Sequence, residues 1–333
     1  MAVTIPRRRA NPAARLLKRR LARLVATVMA VSFLTFMLTS LLPGDPSYVI
    51  LGAEGVTPES LARVHRELHL DDPLPLRFVR WAGNALHGNL GKANVTQLPV
   101  SHLIAQRLPV TLELIAMAIV IALVISIPVG IFTAYRPKNP VARVISFISY
   151  LLLSVPSFVV GLGLILLFAI HWALLPAAGW IALSDDPMQN LKSAILPALA
   201  LALPQVAVFS RILRGDMVAT LDQDFVSFAD SKGLSARRIL LGHAFRPSSF
   251  SLLTLAGTSV GYLMGGTVIV ETLFNLPGLG TLLVNAISQR DLFTVQGVTL
   301  FVAIAFVVVN FVVDMLYAVL DPRIRRGNGA PAV

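Results

Sequence analysis

The sequence holds 333 residues, 56% of them hydrophobic and only 14% charged, with a mean hydropathy of +0.75. One soluble core cannot hide that much apolar surface from water, so a water-soluble globule is excluded and a polytopic membrane protein is implied. The net charge of +11 requires no nucleic acid, because anionic inner-leaflet lipid accounts for a basic cluster beside a membrane span. The absence of cysteine excludes a disulfide framework and thiolate metal or redox chemistry.

In chain order, a basic tail over residues 1–20 opens the sequence, its cluster running on from Arg7 to Arg23. A first span over 21–42 follows, ending in Leu42-Pro43-Gly44-Asp45-Pro46 with no small-residue cleavage pattern, so it reads as an uncleaved span rather than a signal peptide. Residues 43–107 are too polar and too broken by Pro and Gly to cross a bilayer. Within them Thr57-Pro58-Glu59 predicts a capped helix with Leu61, Val64 and Leu68 on one stripe, and Leu76 to Leu86 predicts a second, ended by His87-Gly88. Together they predict a small helical cap outside the membrane, either a plain lid or a docking surface.

Residues 108–320 form the expected core. Arg107-Leu108-Pro109 starts the second span, near whose interface Glu113 can snorkel or pair with Arg107. The uncharged runs are Leu24–Leu42, Leu114–Tyr135, Val144–Ser184, Ser193–Ser210, Pro247–Val270 and Leu292–Val313. Each holds a helix of about 20 residues, enough to cross roughly 30 Å of hydrocarbon. The third has an excess expected to be re-entrant or interfacial, and six spans is the count. Pro128, Pro156, Pro197 and Pro204 are expected to kink the middle spans, and Gly161 and Gly163 to allow close helix approach. His171 beside Trp172 reads as interfacial rather than metal-binding. Asp314 lies inside an apolar run, where a helix or water-cavity contact fits better than a proton relay.

Six spans put both termini on one side. With that side inside, 20 of the 28 Lys and Arg residues are cytoplasmic, so the positive-inside rule favours cytoplasmic N and C termini, the latter a tail over 321–333.

The polar island of the core is Asp222 to Arg246. It predicts two short helices meeting at a corner: Phe225 and Phe228 share a face, Gly233 takes a positive φ, and Ser235 caps the second helix, whose apolar surface is Ile239 to Leu241. Such a loop could rest on lipid. Its order of Ala229, Lys232-Gly233-Leu234-Ser235, Arg237-Arg238 and His243-Ala244 resembles the "EAA" coupling loop of ABC-importer permeases of the dipeptide/oligopeptide family. It departs from that pattern at Ser227, Asp230 and Ser251. The string Gly265 to Gly280 resembles the family's "GGxxxxExxFxxPGLG" segment, Asn310 to Arg323 its "NxxxDxxYxxLDPR" ending, and the insertion opening at Pro43 to Pro46 its outer cap.

The resemblance covers about Leu21 to Arg326 and implies an all-α membrane protein with the type I ABC importer permease fold: six transmembrane helices with a helical extracytoplasmic insertion between helices 1 and 2. It implies ATPase coupling through Phe225, Phe228, Ala229, Lys232, Gly233, Leu234, Ser235, Arg237 and His243. An outer pathway or gate would use Gly266, Glu271, Phe274, Pro277, Gly278 and Gly280. Glu271 could meet a solute ammonium group or form a salt bridge with Arg290.

The implied partners are a second homologous permease, two cytoplasmic ATPase subunits or domains, an extracytoplasmic solute-binding protein and lipid, in a bacterial or archaeal cytoplasmic membrane. No G-x-x-x-x-G-K-[ST] loop exists, so ATP and Mg belong to the partners; no cofactor, metal or catalytic residue is expected here. The implied cargo is a di- or oligopeptide, or alternatively a nickel complex or glutathione. An ion-coupled transporter would need an intramembrane ionisable network and commonly an inverted repeat. A membrane hydrolase would need a motif such as His-Glu-x-x-His, which is absent.

Overall fold

The structure is a computed structural model that describes residues 12–40, 46–51 and 56–320. Arg7 to Arg9, Pro43 to Asp45, the ending from Asp321 and the side chain of Asp314 lie outside the described residues. Every described element is helical apart from one isolated bridge between Lys92 and Pro99.

Helix α1 (Pro12–Ser40) leads to α2 (Pro46–Leu51) and the cap helices α3 (Pro58–Leu68) and α4 (Leu74–Leu86). Thr57 starts α3 as expected: its hydroxyl accepts from the Ser60 N–H at 3.1 Å, while the Ser60 hydroxyl accepts from the Thr57 N–H at 2.9 Å. Phe78 and Trp81 of α4 pack on Phe36 of α1, with ring centroids 5.6 and 5.7 Å away. The cap is therefore anchored on the first span by an aromatic cluster.

Helix α5 (Val100–Tyr135) begins seven residues before the expected Arg107, because Val100, Leu103 and Ile104 are buried and so continue the helix outward. At 1.5 Å per residue it is about 54 Å long, well beyond the hydrocarbon layer. Glu113 on it is partly exposed and, among the described residues, makes no ion pair with Arg107. Its neighbours are α8 (Pro187–Leu221) and α11 (Phe245–Leu273). Leu114, Ala118 and Ala122 of α5 and Leu196, Ala200, Phe209 and Leu213 of α8 form the centre of the core. Gly130 lets α5 approach Leu213, since a Cβ there would meet the leucine at 2.9 Å.

The third apolar run is broken at Pro156 into α6 (Pro140–Ser154) and α7 (Ser157–Leu164), the latter continued by a π-helical turn over Ile165–His171. The two halves meet at 111°. Pro156 supplies no backbone donor and pushes the preceding Val155 into extended geometry, which ends α6. Pro128, Pro197 and Pro204 lie inside continuous helices instead. Gly161 faces Leu273, Phe274 and Ala200 closely, whereas Gly163 faces open space.

The described residues hold five helices long and apolar enough to cross a membrane, and a sixth span if the bent pair counts as one. The remaining elements are α9 (Asp224–Ser231), α10 (Ala236–Arg238), α12 (Leu279–Ser288) and α13 (Leu292–Leu320). Gln296 of α13 donates to the buried Thr39 hydroxyl of α1 at 2.8 Å, a polar tie between first and last spans.

Candidate functional site

The candidate residues fall at opposite ends of the bundle. Thr111 meets Glu271 and Leu279 at one end; Gly130 meets Leu213, and Thr220 meets Ser248, at the other.

At the second end α8 turns into α9, and the hydroxyls of Thr220 and Ser248 sit 3.0 Å apart across the base of the hairpin. Gly233 has φ +72° and closes α9: its N–H donates to the Asp230 carbonyl at 2.8 Å, and the Leu234 N–H to the Ala229 carbonyl at 3.3 Å. Beneath, Val226, Ala229 and Ile239 form a small core with Leu221 and Leu234. Outward, Phe225 and Phe228 remain 48% and 61% exposed, and the Lys232 ammonium stands 4.4 Å from the Phe228 ring centroid. Ser235 and Arg237 are also exposed and His243 partly so.

Two expectations need correction here. The Ser235 side chain makes no capping hydrogen bond. The second short helix is not separate: α10 passes through a π-helical turn, Ile239–Ala244, straight into α11, so Ala236–Leu273 runs as one span. The wider turn sits just before Pro247, which has no N–H for an ordinary helical bond.

At the first end Glu271 is wholly buried. One carboxylate oxygen accepts from the Thr111 hydroxyl at 2.7 Å, the other from the backbone N–H groups of Gly280 at 2.6 Å and Thr281 at 3.3 Å. The Thr111 oxygen in turn accepts from the Leu279 N–H at 2.9 Å. The first three N–H groups of α12, which a helix leaves orphaned, are thus all taken by side chains of α5 and α11. Glycine is required around the carboxylate: a Cβ on Gly278 would collide with it, and one on Gly280 would strike the Val268 backbone.

The carboxylate that the sequence reading offered to a solute ammonium group or to Arg290 is thus engaged by Thr111, Gly280 and Thr281, and among the described residues it makes no ion pair with Arg290. Phe274 is buried and carries the turn: Asn275 has φ +50°, and the Leu276 N–H returns to the Glu271 carbonyl at 2.8 Å. Pro277 is partly exposed, and Gly266 lies apart with nothing nearer than Leu263 at 4.0 Å.

Sequence reading gave neither Thr111 nor Asp291 a role. Asp291 caps α13, accepting from the Thr294 N–H at 3.2 Å and hydroxyl at 2.7 Å, and also accepts from the Asn94 N–H at 3.1 Å. Asp-x-x-Thr before an apolar run is a readable cap signature; the link to Asn94 is not. Among the described residues no group of three or more His, Cys, Asp or Glu side chains could hold a metal.

The described residues thus form a polytopic helical bundle with a protruding polar hairpin at one end and a braced helix corner at the other. The chain belongs to the binding-protein-dependent transport system inner membrane component family, whose model matches residues 126–326, with the family's N-terminal model matching 13–116. It is a multi-pass permease component, not itself an ATPase.

It is 40% identical over 310 residues to a putative peptide transport system permease protein of Brucella abortus (strain 2308), covering 93% of this chain and 98% of that one. It is 33% identical over 330 residues to the dipeptide transport system permease protein DppB of Escherichia coli (strain K12), covering 92% and 97%. A crystal structure of an amino acid ABC transporter with histidines aligns at TM-score 0.47 and 15% identity, over 67% of this chain and 94% of that one.

Proposed function

We propose that this chain forms half of a pathway for di- or oligopeptides across a prokaryotic cytoplasmic membrane and is driven by a cytoplasmic ATPase seated on the α9 hairpin. The assembly would contain a second homologous permease, two ATPase subunits or domains and an extracytoplasmic solute-binding protein. Both termini and the hairpin would be cytoplasmic and the cap outside, in keeping with the distribution of Lys and Arg. The peptide cargo rests on the names of the relatives.

The observation that carries the coupling role is the two-sided hairpin. Its inner face has its own core in Val226, Ala229 and Ile239, while its outer face leaves Phe225 and Phe228 exposed, with the Lys232 ammonium over the Phe228 ring. A rigid knob with an unused aromatic face suits a groove on another protein. It is also the start of α11, so a push on it is delivered straight along a span that reaches the other end of the bundle.

The α11–α12 corner, by contrast, serves as a fixed support for the outer end, with Glu271 as its internal brace rather than a solute contact. The test of coupling uses the absence of native cysteine. Lys232→Cys and Phe228→Cys, both at exposed positions, should cross-link to cysteines in the ATPase groove and do so differently when nucleotide is trapped. Failure at every pair, with dipeptide uptake intact, rejects the reading. Ala229→Cys is the poor choice, because Ala229 is buried.

A further inference from the structure

The cap helix α4 has three chemically different sides. Leu74, Phe78, Trp81, Ala82 and Ala85 form the packed side, against Phe36 of α1 and Leu300 of α13. Outside that stripe Leu76, Val79 and Leu86 remain 42%, 63% and 88% exposed. At 3.6 residues per turn these three share one side, about 120° round the helix from the packed stripe. Arg77, Arg80, Asn84 and the C-capping His87 share the third side, about 120° further on. A helix with water on both of its uncovered sides has no reason to sort apolar from polar residues between them, whereas a helix lying in a membrane interface does.

Depth along the bundle leads to the same place. The Phe78 ring lies 5.3 and 5.6 Å from those of Phe33 and Phe36. Those two residues precede Ser40, the end of α1, by about 10 and 6 Å at 1.5 Å per residue. Leu300 lies about 12 Å into α13 from its start at Leu292. The helix is thereby held beside the ends of two spans, at the level where water gives way to hydrocarbon. Its rotation is fixed as well. Asn84 lines a cavity with Phe293, at the very start of α13, so the polar side looks toward the water and the apolar side toward the middle of the bilayer.

The neighbouring span shows what covers the apolar side. Helix α1 is the least buried of the five long spans, with Leu34 and Leu38 exposed. Phe33, itself 41% exposed, touches Phe78, so the uncovered apolar surface of α1 continues onto α4. We propose that α4 is an interfacial helix bound to phospholipid of the leaflet at the cap's end of the bundle. Leu76, Val79 and Leu86 lie among the acyl chains, and Arg77 and Arg80 lie at the level of the lipid phosphates. Arg80 is paired with Asp72, while Arg77 has no ion pair among the described residues and is left for a phosphate. Lipid then fixes the tilt of the cap from a second side, beside the aromatic anchor on α1. The inference rests on the two spans and the cap alone, not on the peptide-transport reading.

Because the chain has no cysteine, a spin label can be placed at one position at a time in the full chain, in nanodiscs of phosphatidylethanolamine and phosphatidylglycerol. Molecular oxygen concentrates in hydrocarbon and a neutral nickel chelate in water. Labels on Leu76→Cys, Val79→Cys and Leu86→Cys should collide with oxygen severalfold more often than with the chelate, and labels on Asn84→Cys and His87→Cys should show the reverse. Chelate-dominated relaxation along the apolar side overturns the proposal and leaves α4 a lid in water. Protection of that side from both relaxants overturns it too, because protein then covers the helix: a second copy if the chain alone shows it, or a binding protein if it appears only when one is added to the assembled complex. In native membranes, without purification, a membrane-impermeant maleimide should react with Val79→Cys at least about tenfold more slowly than with His87→Cys, since the reactive thiolate needs water. Equal rates count against the proposal. None of these readouts uses uptake, so their failure leaves the peptide-pathway reading standing.

Discussion

The α11–α12 corner and the α9 hairpin are both glycine-marked polar strings between apolar runs, yet they are built in opposite ways. At the corner every special residue is used internally: the Glu271 carboxylate is consumed by Thr111, Gly280 and Thr281, and the glycines leave no room for a Cβ. At the hairpin Gly233 has nothing within 4 Å of where its Cβ would be, and the two phenylalanines point away from the protein. One motif is spent on holding the fold; the other keeps its aromatic face exposed. The physical distinction is whether the polar and aromatic groups are satisfied within the chain.

Substitutions should separate the two ends by their readout. Gly280→Val is expected to have the largest effect, because the new side chain meets backbone that cannot swing aside. Overpacking of this kind costs about 3 kcal/mol or more, and the check is loss of the monodisperse protein on extraction or a large drop in melting temperature in detergent.

Glu271→Ala comes next. It leaves two backbone donors and the Thr111 hydroxyl without their buried acceptor, on the order of 3 kcal/mol in all, again read by thermal stability. Glu271→Gln keeps an oxygen for the α12 N–H groups and should recover part of the loss. If both variants melt as the unsubstituted chain does, the carboxylate is not a brace and the comparison fails.

How far such behaviour could be foreseen depends on the residue type. Gly233 was readable as a left-handed helix stop, and the same 6→1 closure at Asn275 uses a residue that tolerates positive φ. Another such stop, at Arg290 with φ +53°, carried no local signal, since arginine does not mark that conformation. The spans were legible from apolar runs, but the 111° break was not, because four prolines looked alike and only Pro156 interrupts its helix. The resemblance located the Glu271 string while local reading could not assign its role. That role is a contact with Thr111, 160 residues away in sequence.

Gly233→Val sharpens the other half of the comparison. Open space surrounds the site, so only the backbone conformation resists, at about 1–2 kcal/mol for a left-handed residue with a β-carbon. Insertion and purification should be normal, while substrate-dependent ATP hydrolysis by the assembled complex should fall severalfold as the hairpin changes angle. Intact coupling with a destabilised chain would reverse the assignment of the two ends.

The smallest effect on stability and the most telling one belongs to Phe228→Ala. The ring is 61% exposed and its one noted contact is Lys232, so removing it should change stability by no more than about 0.5 kcal/mol. Transport and ATPase affinity should nevertheless drop, and Phe225→Ala should act in the same direction, because a docking groove loses an aromatic anchor in each case. A residue that contributes almost nothing to its own fold and much to the assembly is what an outward-facing motif requires. If Phe228→Ala instead melts early with uptake unchanged, the hairpin face is buried by the chain itself or by lipid, and the two ends are not built differently after all.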